Sequence, residues 1–281
     1  MSESSGPDAE DIEELMRRGH PYLADTADAV VEAVTRAARA AGDRPRIFEI
    51  GCASGILSSR VRAALPGARM IASEELPELA SLARRRLEGT GVELYTGPFC
   101  EWSEPVDVLF SGGAHHHLDT AYLGHARRLL VEDGVYVIGD ELCPEYCHGP
   151  LGERIAAAEV IRYAGGYVLT TTSEWADYEM NGTVPDAAVA MERRRKQALW
   201  RWYRFVVDQA MAGGHYEVAV AELTSTRDDL VTGSQAEHKM SPAIVERELA
   251  LAGFVPRARH VIGPPDDPSL QSFHVYELVR G

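Results

Sequence analysis

Three features of the amino-acid sequence predict an α/β protein with a doubly wound, mostly parallel sheet. The chain has 281 residues, of which 45% are hydrophobic and 25% are charged, so it can bury the core of one large domain or two small ones. Strand-like and helix-like segments alternate between residues 46 and 142. A glycine-bearing turn joins the first of these strands to the first helix, as in folds that bind ligands at the edge of a parallel sheet.

Two helices are predicted before the first strand, at residues 8–18 and 22–41, with a helix-breaking Gly-His-Pro segment between them. The alternating series then runs in the order strand 46–51, helix 55–65, strand 68–73, helix 77–87, strands 92–96 and 106–111, helix 119–131 and strand 134–142. Because strands and helices alternate along the chain, we expect parallel strands with helices on both faces of the sheet.

The segment 150–240 interrupts this alternation. It contains no predicted strand, and residues 186–226 have apolar positions at three- and four-residue spacings, so a helical insertion is predicted. A helix at 242–252 and strands at 254–262 and 272–279 follow, and the two strands could form an antiparallel hairpin at a sheet edge. The predicted organisation is therefore N-terminal helices at 1–45, an α/β domain at 46–149 and 241–281, and a helical insertion at 150–240.

Charge and cysteine content restrict the partners and the compartment. The chain has 28 Lys and Arg residues against 43 Asp and Glu residues, a net charge of −15, which argues against nucleic acid and anionic membranes as partners. The four cysteines are scattered, and the acidic N-terminus lacks the features of a signal peptide, so we expect a cytoplasmic protein. A homodimer is one assembly that the sequence allows.

The strongest functional signal is the segment 46–55, RIFEIGCASG. A buried strand carrying Glu49 runs directly into a turn that contains Gly51, Ala53 and Gly55. Ligands of open parallel sheets bind beyond the carboxyl ends of the strands, and a glycine turn lets a ligand approach backbone N–H groups. These four residues are therefore predicted to contribute to a cofactor site.

Two carboxylates follow at the end of the next predicted strand, Glu74 and Glu75. A carboxylate at this position can accept hydrogen bonds from both hydroxyls of a ribose. Glu74 is the first candidate for this contact and Glu75 the second. Together with the glycine turn, they indicate an adenosine-containing cofactor.

The turn resembles the first motif of the class I S-adenosylmethionine-dependent methyltransferases, an acidic residue followed by G-x-G-x-G at the end of the first strand. Here Ala53 replaces the middle glycine, and the G-x-G-x-x-G pattern preferred by a pyrophosphate site is absent. The resemblance covers residues 46–142 and, more loosely, 242–280. It implies a Rossmann-like methyltransferase fold, S-adenosylmethionine as cofactor and a small-molecule acceptor, with a role in specialised metabolism.

Later positions can be placed by the same resemblance. Phe99 lies in a Gly-Pro-Phe segment where the family usually has an acidic residue that contacts the adenine amino group. Residues 112–118, GGAHHHL, lie where small-molecule methyltransferases often have an Ala-Leu-His-His-Leu-like segment. The resemblance therefore implies that Phe99, Gly112 and Gly113 contact the cofactor.

Three residues are candidates for catalysis. A histidine with an ordinary pKa near 6.5 is suited to deprotonating an acceptor at neutral pH, and His116 is the first candidate, followed by His115. Glu141, just past the fifth predicted strand, would face the same crevice and could orient the acceptor. Consecutive histidines in a loop point in different directions, so no metal site is predicted. The alternatives for these residues are loop packing for the histidines and helix capping for Glu141.

The insertion is rich in aromatic residues, and two interpretations of them stay open. They could form a lid that lines the acceptor pocket, or they could be the core of a helix pair. The residues in question are Trp175, Tyr178, Trp200, Trp202, Tyr203 and Phe205.

Two alternative functions also stay open. In the first, the protein closes or transfers the aminocarboxypropyl chain of the same cofactor and releases methylthioadenosine, which the fold cannot exclude. It is motivated by the absence of the adenine-contacting carboxylate near Phe99 and by the additional His115. In the second, the protein binds the cofactor as a structural or regulatory ligand without turnover.

Overall fold

The computed structural model describes residues 9–232 and 239–281, so residue 8 and residues 233–238 of the predicted elements lie outside the described part. The strands are β1 Arg46–Ile50, β2 Arg69–Ser73, β3 Glu93–Tyr95, β4 Val106–Gly112, β5 Leu130–Glu141, β6 Arg162–Ala164, β7 Tyr167–Leu169, β8 Phe254–Ile262 and β9 Phe273–Arg280. The helices are α1 Ala9–Gly19, α2 Leu23–Ala41, α3 Ile56–Ala64, α4 Pro77–Leu87, α5 Ala121–Leu129, α6 Pro150–Ala156, α7 Thr172–Asn181, α8 Asp186–Ala212, α9 Tyr216–Arg227 and α10 Pro242–Leu251.

Several helix ends follow directly from local sequence. Helices α4 and α10 begin with Pro77 and Pro242, whose missing N–H groups would have no helical partner at that position. Helix α7 is capped by the Thr171 hydroxyl, which accepts a hydrogen bond from the backbone N–H of Glu174 at 3.2 Å. Short 3₁₀ turns occupy Phe99–Glu101 and His115–His117.

The main sheet has seven strands in the order β3-β2-β1-β4-β5-β9-β8. The first five strands are parallel, and β9 pairs antiparallel with both β5 and β8. The predicted doubly wound sheet and its antiparallel C-terminal edge hairpin are therefore confirmed. Because the chain passes from β1 outward to β3 and then returns to β4 on the other side of β1, a crevice opens between the carboxyl ends of β1 and β4.

Helix α2 packs on one face of the sheet, close to β5. Val30 and Val34 of this helix are buried together with Val108 of β4 and Val137 of β5. A Cβ atom at Gly139 would lie 2.1 Å from Cγ2 of Val30, so the glycine allows the helix to approach the strand closely. This contact holds α2 over the carboxyl end of β5, beside the crevice.

One expectation for the insertion was wrong. Strands β6 and β7 form a separate two-stranded antiparallel sheet within residues 150–240, where no strand is predicted. Each strand has three residues, too few to show a periodicity, and the turn between them uses Gly165 and Gly166 at φ of 56° and 88°. Residues 186–226 are helical as predicted, and they form two helices because Gly214 at φ 77° follows the end of α8 before α9 begins.

None of the helices in the described ranges is both long enough and apolar enough to cross a membrane.

Candidate active site

Two neighbouring cavities open at the carboxyl edge of the parallel strands. The first, which we call the cofactor-side cleft, has a volume of about 520 Å³ and is lined by the β1 turn, the end of β2 and the residues after β4. The second, which we call the His116 cavity, has a volume of about 290 Å³ and lies between the end of β5 and helices α1, α2 and α3. Gly112 and Gly113 belong to the walls of both cavities.

The turn after β1 has three residues with a left-handed backbone, Gly51 at φ 65°, Ala53 at φ 47° and Gly55 at φ 82°. Gly51 and Ala53 line the cofactor-side cleft, whereas Gly55 precedes α3 and faces Leu87, which would lie 3.1 Å from a Cβ atom there. Ala53 is the position that departs from the family motif, and its side chain makes this conformation unfavourable. Ala53 therefore adopts a backbone conformation that glycine would adopt without strain.

Glu49 does not belong to the cleft wall. Its side chain is buried and accepts a hydrogen bond from the hydroxyl of Ser58 in α3, so it links the first strand to the first helix of the sheet. Of the predicted cofactor-binding residues, Glu49 and Gly55 therefore lie beneath the turn and support its shape.

Glu74 and Glu75 both line the cofactor-side cleft and both accept backbone hydrogen bonds. Oε2 of Glu74 accepts from the N–H of Ala53 at 2.9 Å, and Oε1 accepts from the N–H of Leu76 at 3.0 Å. Oε1 of Glu75 accepts from the N–H of Phe99 at 2.9 Å, and Phe99 also lines the cleft. Since each carboxylate oxygen has a second lone pair, these bonds hold the wall in place and leave acceptor capacity for a ligand.

His116 forms a buried pair with Asp140, which lies at the end of β5. The His116 Nδ1 atom donates to Asp140 Oδ1 at 2.6 Å, and the backbone N–H of His116 donates to Oδ2 at 2.9 Å. Both side chains line the His116 cavity. Because the carboxylate holds the proton on Nδ1, the neutral imidazole carries its lone pair on Nε2, the form required of a general base.

The ionisation of this pair is set by opposing effects. Burial alone would lower the pKa of His116, but the charge and hydrogen bond of Asp140 outweigh burial and raise it. Burial likewise tends to raise the pKa of Asp140, but His116 lowers it. The carboxylate is therefore ionised at neutral pH, and it stabilises the proton that the imidazole would accept.

His115 has different contacts from this pair, whereas the ring of His117 lies against that of His116, with the ring centroids 3.9 Å apart. The Nδ1 atom of His115 lies 2.7 Å from the hydroxyl of Tyr122, which in turn lies 3.0 Å from the hydroxyl of Tyr136. Burial lowers the pKa of His115, and the residue lines neither cavity. His117 faces the cofactor-side cleft. His115 therefore supports the turn that carries His116. The rings of His116 and His117 stay in contact, although the two residues line different cavities.

Glu141 lines the His116 cavity, but its carboxylate is already paired. The indole N–H of Trp202 donates to its Oε1 at 2.5 Å, and Nζ of Lys239 lies 3.2 Å from its Oε2. Burial would raise the pKa of Glu141, but the attraction of Lys239 lowers it overall. The residue is therefore an ionised, anchored part of the wall.

Sequence reasoning missed two residues of the His116 cavity. Asp140 is not among the predicted site residues, although its position at the end of a buried strand is a signal for a functional carboxylate. His20, in the segment between α1 and α2, also lines the cavity, with Nδ1 donating to the carbonyl of Pro21 at 2.9 Å. Nothing in the local sequence distinguishes it from an ordinary helix-breaking segment.

The remaining wall of the His116 cavity is apolar and comes from the N-terminal helices and α3, including Met16, Leu23, Val30 and Leu57. None of the described residues of the insertion lines either cavity. Among the aromatic residues of the insertion, Trp202 and Tyr203 are fully buried, in agreement with the helix-core interpretation.

The chain matches no protein-family model and no curated protein sequence. Among solved structures, it is similar to NcsB1, an O-methyltransferase of neocarzinostatin biosynthesis in complex with S-adenosyl-L-homocysteine and 1,4-dihydroxy-2-naphthoic acid. The identity is 14% and the TM-score is 0.50, and the match covers 97% of this chain and 58% of NcsB1. The chain has the Rossmann-like fold of this methyltransferase.

Two other structures are similar at lower TM-scores. The mitomycin 7-O-methyltransferase MmcR has 16% identity and a TM-score of 0.49, over 92% of this chain and 54% of MmcR. LepI in complex with S-adenosyl-L-homocysteine and a substrate analogue has 13% identity and a TM-score of 0.47, over 85% of this chain and 43% of LepI. The chain thus spans little more than half the length of NcsB1 and MmcR.

Proposed function

We propose that this protein is an S-adenosylmethionine-dependent methyltransferase that acts on a small-molecule acceptor, with His116 as the general base. The observation that carries the proposal is the pair of cavities that meet at Gly112 and Gly113. One has a glycine-type turn and carboxylates at the end of β2, and the other contains an imidazole oriented by a carboxylate. A role in specialised metabolism is part of the proposal, in line with the neocarzinostatin pathway of NcsB1.

The cofactor-side cleft fits S-adenosylmethionine in size and in the chemistry of its wall. Glu74 and Glu75 present carboxylate oxygens for ribose hydroxyls, while Gly51, Gly112 and Gly113 present backbone without side chains. When bound there, S-adenosylmethionine would supply a methyl group activated by a sulfonium centre. Glu49 and Gly55 would act indirectly, by maintaining the turn.

The proposed work of the protein is positioning and one proton transfer. The apolar wall of the His116 cavity holds the acceptor and excludes water, so the acceptor is oriented toward the cofactor-side cleft across the two glycines. Nε2 of His116 accepts the proton of the acceptor, and Asp140 stabilises the imidazolium that forms. A general base of this kind typically contributes about 10² to 10⁴ in rate.

Binding of the cofactor is tested by calorimetric titration of S-adenosylmethionine into the wild type and Glu74→Gln. Glutamine retains the shape but presents an amide N–H₂ group in place of one carboxylate oxygen, so we expect the dissociation constant to rise by about tenfold or more. Glu78→Gln is the matched control, since Glu78 is exposed at the start of α4. Equal affinity of wild type and Glu74→Gln would contradict the ribose assignment.

The reaction itself is tested by mass spectrometry of the protein incubated with S-adenosylmethionine, first without an acceptor and then with a panel of small hydroxyl compounds. We expect acceptor-dependent S-adenosylhomocysteine and no protein-dependent methylthioadenosine. Protein-dependent methylthioadenosine would show that the protein catalyses the aminocarboxypropyl reaction and not methyl transfer. Cofactor binding without either product across the panel would favour a binding protein without turnover.

A further inference from the structure

Two arginines reach the wall of the His116 cavity, and both are already neutralised by carboxylates outside that wall. Nε and Nη2 of Arg17 donate to the carboxylate of Glu14 at 2.9 and 3.0 Å. Arg60, at the start of α3, forms an ion pair with Asp28 of α2. Arg18 also donates to the Glu14 carboxylate, at 2.8 Å, but does not line the cavity. Both guanidinium groups of the wall therefore already have an anionic partner.

The other charged groups of this wall are also matched. Asp140 is paired with His116 at 2.6 Å, and Glu141 is paired with Lys239 at 3.2 Å. The lining thus contains two carboxylates and two arginines, and each has a hydrogen-bonded or ion-paired partner, which for Asp140 is the imidazole of His116. No surplus positive charge faces the cavity among the described residues.

The space between these pairs is small and apolar. At about 290 Å³ the cavity lies at the lower end of the range for small-molecule sites, which suits a compact ring system. Its apolar lining includes Leu23, Ala27, Ile56 and Phe273. A charged group placed against these side chains would lose its hydration and gain no counterion.

We propose that the acceptor is a compact, uncharged ring compound with an ionisable hydroxyl, and that carboxylate- or phosphate-bearing compounds are excluded because Asp28 and Glu14 occupy the two arginines. This inference rests on the proposed role of the His116 cavity as the acceptor site. A carboxylate on the ligand that binds Arg60 must share this guanidinium with Asp28 or displace it, so it gains only part of an ion pair while it still loses its hydration. The Arg60–Asp28 pair is therefore a determinant of specificity against anionic acceptors.

The experiment compares two probes that differ in charge but hardly in shape, 1-hydroxy-2-naphthamide and 1-hydroxy-2-naphthoic acid. Dissociation constants are measured by calorimetry for the wild type, for Asp28→Asn, and for Asp25→Asn as the matched control. Asp25 is an exposed residue of the same helix, so the control makes the same change in net charge without releasing Arg60. Ala27→Phe, which places a ring in the cavity, checks that the probes bind there.

In the wild type we expect the amide to bind about tenfold or more tightly than the acid, corresponding to about 1.4 kcal/mol. Asp28→Asn should improve binding of the acid by about threefold, as befits an exposed ion pair, and leave the amide unchanged. Asp25→Asn should leave the dissociation constants of both probes unchanged. Ala27→Phe should remove binding of both probes while circular dichroism shows an intact fold.

Four results would overturn the inference: equal or tighter binding of the acid by the wild type, equal gains for the acid in Asp28→Asn and Asp25→Asn, probe binding that survives Ala27→Phe, or no binding of either probe. S-adenosylmethionine affinity is measured in the same samples. Normal cofactor binding with a preference for the acid would reject the exclusion of anionic acceptors and leave the proposed function in place. Absence of cofactor binding by the wild type would reject the proposed function itself.

Discussion

The N-terminal helices and the insertion both lie beside the carboxyl end of β5, but they contribute to it in different ways. Met16 and Leu23 of the N-terminal helices line the His116 cavity. Trp202 and Tyr203 of the insertion are instead buried in the core, where Trp202 donates a hydrogen bond to Glu141. A dense set of aromatic residues thus identifies a helix that packs on the core, while the ligand wall is made by a more ordinary apolar helix face.

The two regions also contact each other at the end of α1. A Cβ atom at Gly19 would lie 2.7 Å from Cβ of His215 and 2.9 Å from Cγ2 of Val218, so the glycine allows α1 to approach α9 closely. In the same place, Nε2 of His20 lies 3.7 Å from Oε1 of Glu222. The insertion therefore packs against the N-terminal helices that form the wall of the His116 cavity and supports them.

The largest expected effect tests the core role of the insertion. Trp202→Ala should lower the free energy of unfolding by about 3 to 5 kcal/mol, because it empties a fully buried site and removes the hydrogen bond to Glu141. Trp200→Ala, on the same helix but 51% exposed, should change it by less than about 1 kcal/mol. Urea denaturation of both variants provides the measurement. Similar losses for the two tryptophans would break the distinction between a core helix and a lid.

A smaller effect is expected where the two regions meet. Gly19→Ala should lower the free energy of unfolding by about 1 to 3 kcal/mol, since the added methyl group overlaps His215 and Val218. Gly124→Ala in α5 is the matched control, because a Cβ atom there meets nothing closer than 3.8 Å. We expect the control to stabilise the protein by about 0.5 to 1 kcal/mol in thermal denaturation. A stabilising Gly19→Ala would show that α1 and α9 do not pack as closely as described.

The third prediction concerns His116, the proposed base, which faces the N-terminal helices. Asp140→Asn removes the negative charge but keeps an oxygen that can accept from Nδ1, so the pKa of His116 should fall below its wild-type value. A protonated His116 stabilises the folded state below the ordinary histidine pKa near 6.5, and this contribution is lost as the pH rises through the raised folded pKa. In that window the wild type should therefore lose more unfolding free energy than Asp140→Asn.

Nuclear magnetic resonance titration of the His116 imidazole measures this pKa directly, and denaturation at a series of pH values gives the linked stability. Asp133→Asn, an exposed position of the same strand, is the control and should leave the titration of His116 unchanged. If the pKa of His116 stays at its wild-type value in Asp140→Asn, Asp140 neither raises that pKa nor orients the imidazole.

The smallest effect is expected in the turn after β1, which belongs to neither region. Ala53→Gly should raise the free energy of unfolding by up to about 1 kcal/mol, since glycine adopts a φ of 47° without the strain of a side chain. Ala63→Gly, in the right-handed backbone of α3, should have the opposite sign. Destabilisation by both substitutions in thermal denaturation would mean that Ala53 contributes a contact that outweighs its strain.

The sheet could be predicted from the sequence because each strand is marked by its own residues. The buried run at residues 106–111 has apolar residues on both faces, interrupted by Asp107 and Ser111, and glycine or proline follows most of the strands. The β6–β7 hairpin escaped prediction because three residues cannot show a period, although Gly165 and Gly166 are a hairpin signal.

The site could be predicted only where its residues are neighbours in sequence. The turn after β1 and the His115–His117 segment were visible as motifs, whereas the partner of His116 lies 24 residues away and is chosen by the register of β4 and β5. His20 reaches the cavity because α1 and α2 fold back over the sheet, and that packing is not encoded near His20. Long-range contacts of this kind require the tertiary structure.

Gly112 and Gly113 have a consequence for how such a protein can diverge. Within the described residues, the two cavities share these two glycines and nothing else, and a Cβ atom at Gly112 would lie 2.4 Å from Cδ2 of Leu57. Every side chain on α1 and α2 that shapes the His116 cavity can therefore be exchanged without touching the cofactor-side cleft. Under the proposed function the arrangement is modular: mutations in one helical pair would change the acceptor site and leave the proposed cofactor site unaltered.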